Sequence, residues 1–236
     1  MEPYSIAYHI LASDVDRFQR LRLSRLFTFL QEAAIAHTEA LGMGRVKTLD
    51  KGFLWVVTVQ QAKITRLPLY DEDVTLESLP GKMMHTFYPR YTRLLDKNGN
   101  ELVNAAALWM LMDETSRTML FPDRTGVVIP DGEAKWQTFW PRSPRLPQGE
   151  ENGAFTVPYS YVDLNGHMNN TRYFDLAEDC MPDALRAGSV REVSTEYTGE
   201  VTEGQTIRLI SSVTDGEFRI AGNTEKKVFR ISMRYE

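Results

Sequence analysis

Leu23-Ser-Arg-Leu26-Phe27-Thr-Phe29-Leu30-Gln-Glu-Ala33-Ala34-Ile35-Ala-His37-Thr-Glu-Ala40-Leu41, followed by Gly42, is the segment from which the fold can be read. Positions 23, 26, 27, 30, 33, 34, 37 and 41 recur at the spacing of one helix face, and Gly42 suits the left-handed residue that ends a helix. Phe29 and Ile35 fall off that face. A helix that is apolar on more than one stripe has to be wrapped, since resting on a surface needs only one.

The segments beyond Gly42 can do the wrapping. Leu54-Trp55-Val-Val-Thr-Val59, Ala62-Lys-Ile64-Thr-Arg-Leu67 and Asp73-Val-Thr-Leu-Glu-Ser-Leu79 read as strands, the last stopped by Pro80-Gly81. Two more runs, His85 to Leu95 and Glu101 to Met112, meet across Asn98-Gly99, a strong hairpin signal. One helix followed by an antiparallel meander predicts an α+β unit.

The order of elements then repeats. A helix-like run from Thr171 to Asp179 precedes strand-like runs at Val193 to Val201, Gln205 to Val213, Glu217 to Ile220 and Lys226 to Tyr235. A shift of 149 residues puts Asp14 on Asp163, Asp16 on Asn165 and Phe18 on His167. Between the halves, five of the eleven prolines (122, 130, 141, 144 and 147) gather with Trp136 and Trp140. Such a stretch reads as a linker, and its tryptophans predict that it packs on the body. The expected division is therefore 1–125, a linker at 126–152, and 153–236.

Composition excludes several classes. At 236 residues, with 42% hydrophobic and 25% charged residues, the chain can bury a core. A net charge of −5 argues against a nucleic-acid partner. The single cysteine, Cys180, permits no internal disulfide and fits a reducing compartment. The start of the chain lacks the basic and apolar blocks of a signal peptide, and no run is long enough to span a bilayer, so a cytoplasmic location is expected. No Cys/His spacing suits a metal and no Gly-rich loop suits a nucleotide, so no metal and no cofactor are expected.

Chemistry concentrates in Asp163-Leu-Asn165-Gly-His167-Met-Asn169-Asn170, between a strand-like and a helix-like run. If extended, the backbone places Asp163, Asn165 and His167 on one side. Asn169 or Asn170 has the chemistry of a helix N-cap, with free N–H groups behind it. An imidazole beside amides and a helix start can polarise a carbonyl and move a proton. Taken alone, the same residues also suit a plain strand-to-helix turn. Likewise Glu200, beside Glu196 and Glu203, could be a solvated glutamate, and Cys180 reads better as a small buried helix residue than as a nucleophile.

The motif extended to Thr171-Arg-Tyr173 resembles the signature of the acyl-acyl-carrier-protein (acyl-ACP) thioesterases. Three other segments are similar to that family: Leu54-Trp55-Val56, the run from Ala106 through Trp109 and Met112 to Arg117, and Glu196-Tyr197-Thr-Gly-Glu200-Val201. The resemblance implies two hot-dog domains in tandem, each a long helix wrapped by a curled antiparallel β-sheet. It also implies hydrolysis of acyl-ACP thioesters to free fatty acid and carrier protein. Glu200 would then be a buried general base. Asn165 and His167 would position water and substrate, Asp163 would orient them, and backbone N–H groups near Asn169 and Asn170 would receive the oxyanion. The acyl chain would lie in the first domain, with Phe27, Leu30, Trp55, Trp109 and Met110 as liners, although plain core packing accounts for any one of these. Where the family often carries cysteine after the strand glutamate, this chain has Val201, so a Cys-His mechanism has no nucleophile there.

Acyl-carrier protein is acidic, so its docking surface should be basic, and Arg17, Arg20, Arg22 and Arg25, Arg142 with Arg145, and Lys226 with Lys227 are the candidate patches. An acyl-CoA thioesterase, a hot-dog dehydratase and a non-catalytic acyl-binding module are the competing readings. Two such domains in one chain are compatible with a monomer, and a free sheet edge with a homodimer.

Overall fold

Leu23–Ala40 does form the expected helix (α1), and in the computed structural model, which describes residues 1–236, a large antiparallel sheet lies against it. The first half contributes β1 (Tyr4–His9), β2 (Phe53–Ile64), β3 (Asp73–Pro80), β4 (Tyr88–Asp96), β5 (Glu101–Asp113), the short β6 (Met119–Leu120) and the one-turn α2 (Pro122–Thr125). The second contributes β7 (Gly153–Thr156), α3 (Arg172–Cys180), α4 (Asp183–Arg186), β8 (Val190–Tyr197), β9 (Thr206–Thr214), β10 (Glu217–Asn223) and β11 (Lys227–Tyr235). The two runs expected at 54–59 and 62–67 are one strand, β2, bent by a register shift between Val57 and Val59.

Strand order is β1-β3-β4-β5-β2-β8-β11-β10-β9-β7. From either end the same sequence of roles is met, and the halves join at the middle through antiparallel β2 and β8, with Val59 opposite Glu196 and Lys63 opposite Glu192. The helices share one buried cluster, to which Leu26, Phe27 and Leu30 of α1 and Tyr173, Phe174 and Leu176 of α3 belong. At its centre Phe27 stacks on Phe174, with centroids 4.0 Å apart and planes 12° from parallel.

Hydrogen bonds fix the register of the internal repeat and correct the expected one. Asp16 N–H donates to Arg20 O (2.8 Å) as Asp163 N–H donates to His167 O (3.0 Å). Gln19 N–H donates to Asp16 O as Gly166 N–H donates to Asp163 O, both at 3.0 Å, and Gln19 (φ 63°) and Gly166 (φ 77°) are both left-handed. Asp16 therefore corresponds to Asp163, Phe18 to Asn165 and Arg20 to His167, an offset of 147 residues in place of 149. The turn aspartate, whose Oδ1 accepts the N–H two residues on in both copies, decides the alignment. The expectation of two long helices holds for the first half only, because α3 has nine residues and ends at Met181-Pro182.

Residues 126–152 carry no helix or strand and run across the outer face of the sheet. Arg93 stacks on Trp136, Lys63 on Phe139, Arg142 N–H donates to Gln61 Oε1 (3.0 Å) and Ser143 Oγ to Glu196 Oε1 (2.6 Å). The segment is thus a strap over β4, β2 and β8 that ties the two halves together. No helix of the chain is long and apolar enough to cross a membrane.

Candidate active site

The motif at Asp163 is a tight turn, and the expected extended path is absent. Gly166 supplies the left-handed residue, at which any side chain would be strained. Asp163 Oδ1 accepts the Asn165 N–H (2.8 Å) and Oδ2 accepts Asn169 Nδ2 (3.1 Å), so the carboxylate shapes the turn and holds Asn169 without touching the side chain of Asn165 or the imidazole of His167. Asn169 Oδ1 accepts Thr171 N–H (2.9 Å) and Oγ1 (2.8 Å), which caps the entry to α3.

Glu200 is brought in from the other side of the site. It lies in the loop after β8, beyond the end of that strand at Tyr197. One bond sets the meeting: Met168 N–H donates to Val201 O at 2.7 Å, joining the residues next in sequence to His167 and Glu200. His167 Nε2 then stands 3.5 Å from Glu200 Oε2. Glu200 Oε1 accepts from Arg117 Nη1 at 3.3 Å, across the boundary between the halves. Glu200 is 38% exposed, so the expected burial is missing, and its two oxygens are shared instead between His167 and Arg117. Val201 is completely buried, which places that position in the core and away from the reacting groups.

Two polar atoms at this site are buried and have no partner: His167 Nδ1 and Asn170 Nδ2. Native structures leave few such groups, and those at a cavity wall are candidates for meeting substrate or water. The backbone corrects another expectation. Asn169 N–H is already committed to Tyr161 O (2.9 Å), and Thr171 N–H to Asn169, so among the N–H groups at 168–172 only that of Asn170 is free. Tyr197 OH donates to Asn170 O (2.7 Å) and holds that residue in place.

His167, Asn165, Asn170 and Glu200 open onto one cavity of about 580 Å³ that runs into the first half. Trp55 and Trp109 line it, and Trp55 packs edge-on against Tyr88 (4.9 Å). Phe27, Leu30 and Met110 do not line it. Phe27 and Leu30 are spent on the core between α1 and α3, and Met110 alternates with Trp109 along β5. Cys180 is exposed at the end of α3, not buried. In the arginine cluster, Arg20 pairs with Asp16 (2.9 Å) and Arg25 with Asp14 (2.8 Å), and Arg22 donates to Val15 O, so most of that patch is neutralised within the fold. Arg142, Arg145, Lys226 and Lys227 are exposed and form no ion pair within 4 Å. Arg117 belongs to a family-like segment, yet nothing in the sequence ties it to the site, because 83 residues separate it from Glu200.

Residues 2–121 match the acyl-ACP thioesterase N-terminal domain, and residues 146–236 match the acyl-ACP thioesterase C-terminal domain. The chain belongs to the acyl-ACP thioesterase family. Among its relatives are the chloroplastic dodecanoyl-[acyl-carrier-protein] hydrolase of Umbellularia californica (24% identity over 79% of this chain and 53% of the relative) and the palmitoyl-acyl carrier protein thioesterase of Cuphea hookeriana (23%, over 82% and 50%). The chain thus spans about half the length of the curated relatives it matches. An acyl-ACP thioesterase from Bacteroides thetaiotaomicron has the same fold, with a TM-score of 0.84 at 21% identity over 99% of this chain and 98% of that one. The 12:0-ACP thioesterase from Umbellularia californica superposes with a TM-score of 0.82 at 18% identity, over 99% and 97%.

Proposed function

We propose that this chain hydrolyses acyl-ACP thioesters and that its two halves, 1–125 and 153–236, are hot-dog domains in tandem joined by the strap. The observation that carries this reading is the convergence of His167, Glu200 and the unpartnered amide of Asn170 on one long cavity. In it, a water held between His167 Nε2 and Glu200 Oε2 attacks the thioester carbon as Glu200 takes its proton. The oxyanion of the tetrahedral intermediate receives the Asn170 N–H and side-chain amide, with Asn165 at the cavity wall. Collapse breaks the carbon–sulfur bond, and the departing thiolate takes the proton back from Glu200. Water, thioester, acid and thiol balance, and no covalent enzyme intermediate is needed. Asp163 and Tyr197 hold Asn169 and Asn170, and Arg117 aims Glu200.

The test is hydrolysis of matched acyl-ACP and acyl-CoA thioesters over a range of chain lengths. A carrier-protein preference lost in His167→Ala supports the reading. A CoA preference would keep the chemistry and change the carrier, and a folded protein inert on both would point to an acyl-binding module. Docking of an acidic carrier on Arg142, Arg145, Lys226 and Lys227 further requires kcat/KM to fall steeply with added salt, so a flat response would remove those residues from the interface.

A further inference from the structure

The cavity wall remote from the catalytic turn carries a charge that an alkyl chain does not use. Arg90 of β4 is only 7% exposed, lines the cavity and forms no ion pair with any carboxylate within 4 Å. Buried guanidinium groups are normally paired, because desolvating the cation costs far more than a neutral hydrogen bond returns. Here Nη1 meets His37 Nδ1 at 2.9 Å and Nη2 donates to Thr38 Oγ1 at 3.0 Å. His37 supplies no compensating charge: as acceptor from Arg90, and with Ser78 bonded to its ring, it stays neutral, and burial with the Arg90 charge pushes it down to about 4. Two of the five N–H bonds of Arg90 are thereby used.

The surroundings are of the same kind. Trp55 and Trp109 line the same cavity, and each has a buried indole N–H with no partner. Carboxylates on this wall, Glu32 and Glu39, are exposed, and Glu39 is bonded to the Arg45 N–H (2.6 Å). Thr38, to which Arg90 is tied, lies seven residues along α1 from Gln31, the cavity residue one turn past Phe27. At 1.5 Å per residue that is roughly 10 Å farther from the α1–α3 contact. The end of the cavity lined by Thr38 and Arg90 therefore holds a cation with no carboxylate partner.

We propose that this end binds a carboxylate, so that the preferred substrate is an acyl thioester whose far end is itself acidic, with Arg90 as the specificity-determining residue. The inference rests on the reading of the site as an acyl-thioester hydrolase. Desolvation of Arg90 is already borne by the fold, so a terminal carboxylate gains a charge-assisted bond that a methyl terminus leaves unmade.

The experiment compares carrier-protein thioesters of matched length ending in methyl or in carboxylate, on the wild-type chain and on Arg90→Met, which keeps the bulk and removes the charge. At the best length the wild type should favour the carboxylate at least about tenfold in kcat/KM, and Arg90→Met should reverse the order while hydrolysing methyl-ended chains no worse. Methyl-ended chains preferred at every length by the wild type would overturn the inference, as would an equal loss on both substrates in Arg90→Met, which is what a purely structural brace predicts. Should Arg90→Met not fold, the wild-type preference alone decides. Calorimetry of His167→Ala with an α,ω-dicarboxylic acid and the matching monocarboxylic acid gives a readout without turnover. Tighter diacid binding supports the carboxylate site even if no thioester is cleaved, and tighter monoacid binding rejects it even if the hydrolase reading stands.

Discussion

Phe27 and Phe174 stack ring on ring at 4.0 Å, and they are the same position of the two halves, 147 residues apart. The repeat axis thus passes through the hydrophobic core. Both rings are completely buried, so Phe174→Ala should cost about 3–5 kcal/mol. Since that core is common to both halves, denaturation should remain a single transition. Two separated transitions, or a loss below about 1 kcal/mol, would contradict a shared core.

His167→Ala and Glu200→Gln should each lower kcat by roughly 10²–10³-fold with little change in melting temperature, because both side chains reach the cavity and neither carries core packing. Activity within a few-fold of wild type in either variant would dismiss the proposed roles.

Arg117 acts through Glu200. Its removal by Arg117→Ala should reduce kcat about tenfold, the scale of one charge-assisted hydrogen bond in a half-exposed site. The telling measurement is the double variant with Glu200→Gln, which should be no slower than Glu200→Gln alone. Additive losses would mean that Arg117 contacts substrate independently.

Acid should weaken the fold through His37. The unfolded ring protonates near 6.5, whereas the folded one, buried against Arg90, does so only near 4. Between those values the unfolded state alone takes up the proton, so stability present above pH 6.5 declines toward pH 4, by roughly 3 kcal/mol. Denaturant melts of wild type and His37→Gln across that window should converge as pH falls.

Glu178 of α3 acts with the opposite sign. Burial, with Asp175 and Asp16 nearby, raises its carboxyl to about 7, against 4.5 when unfolded. From pH 4.5 to 7 the folded state holds the proton longer, so stability declines as pH rises. Glu178→Gln should therefore raise the melting temperature at pH 8 and leave it nearly unchanged at pH 4.5. A variant destabilised at pH 8 would show that the ionised carboxylate is favourably placed.

Local order was legible in the sequence because it depends on neighbours along the chain. The helix at Leu23–Ala40 follows from its apolar spacing and the β4–β5 hairpin from Asn98-Gly99, whereas the turn at Asp163 is only one of the two paths its motif allows, the other being extended. The resemblance of that motif to a family also singled out His167 and Glu200, which stand 3.5 Å apart in the fold. Contacts made through space were not legible. The pairing of β2 with β8 and the bond from Met168 to Val201 decide that His167 meets Glu200, and the turn after β5 decides that Arg117 joins them. Packing spent Phe27 and Leu30 on the core and left Trp55, Trp109 and Arg90 to line the cavity. Sequence periodicity says which residues avoid water. Only the tertiary structure decides whether a side chain meets another side chain or a cavity, because that depends on how distant elements divide the space between them.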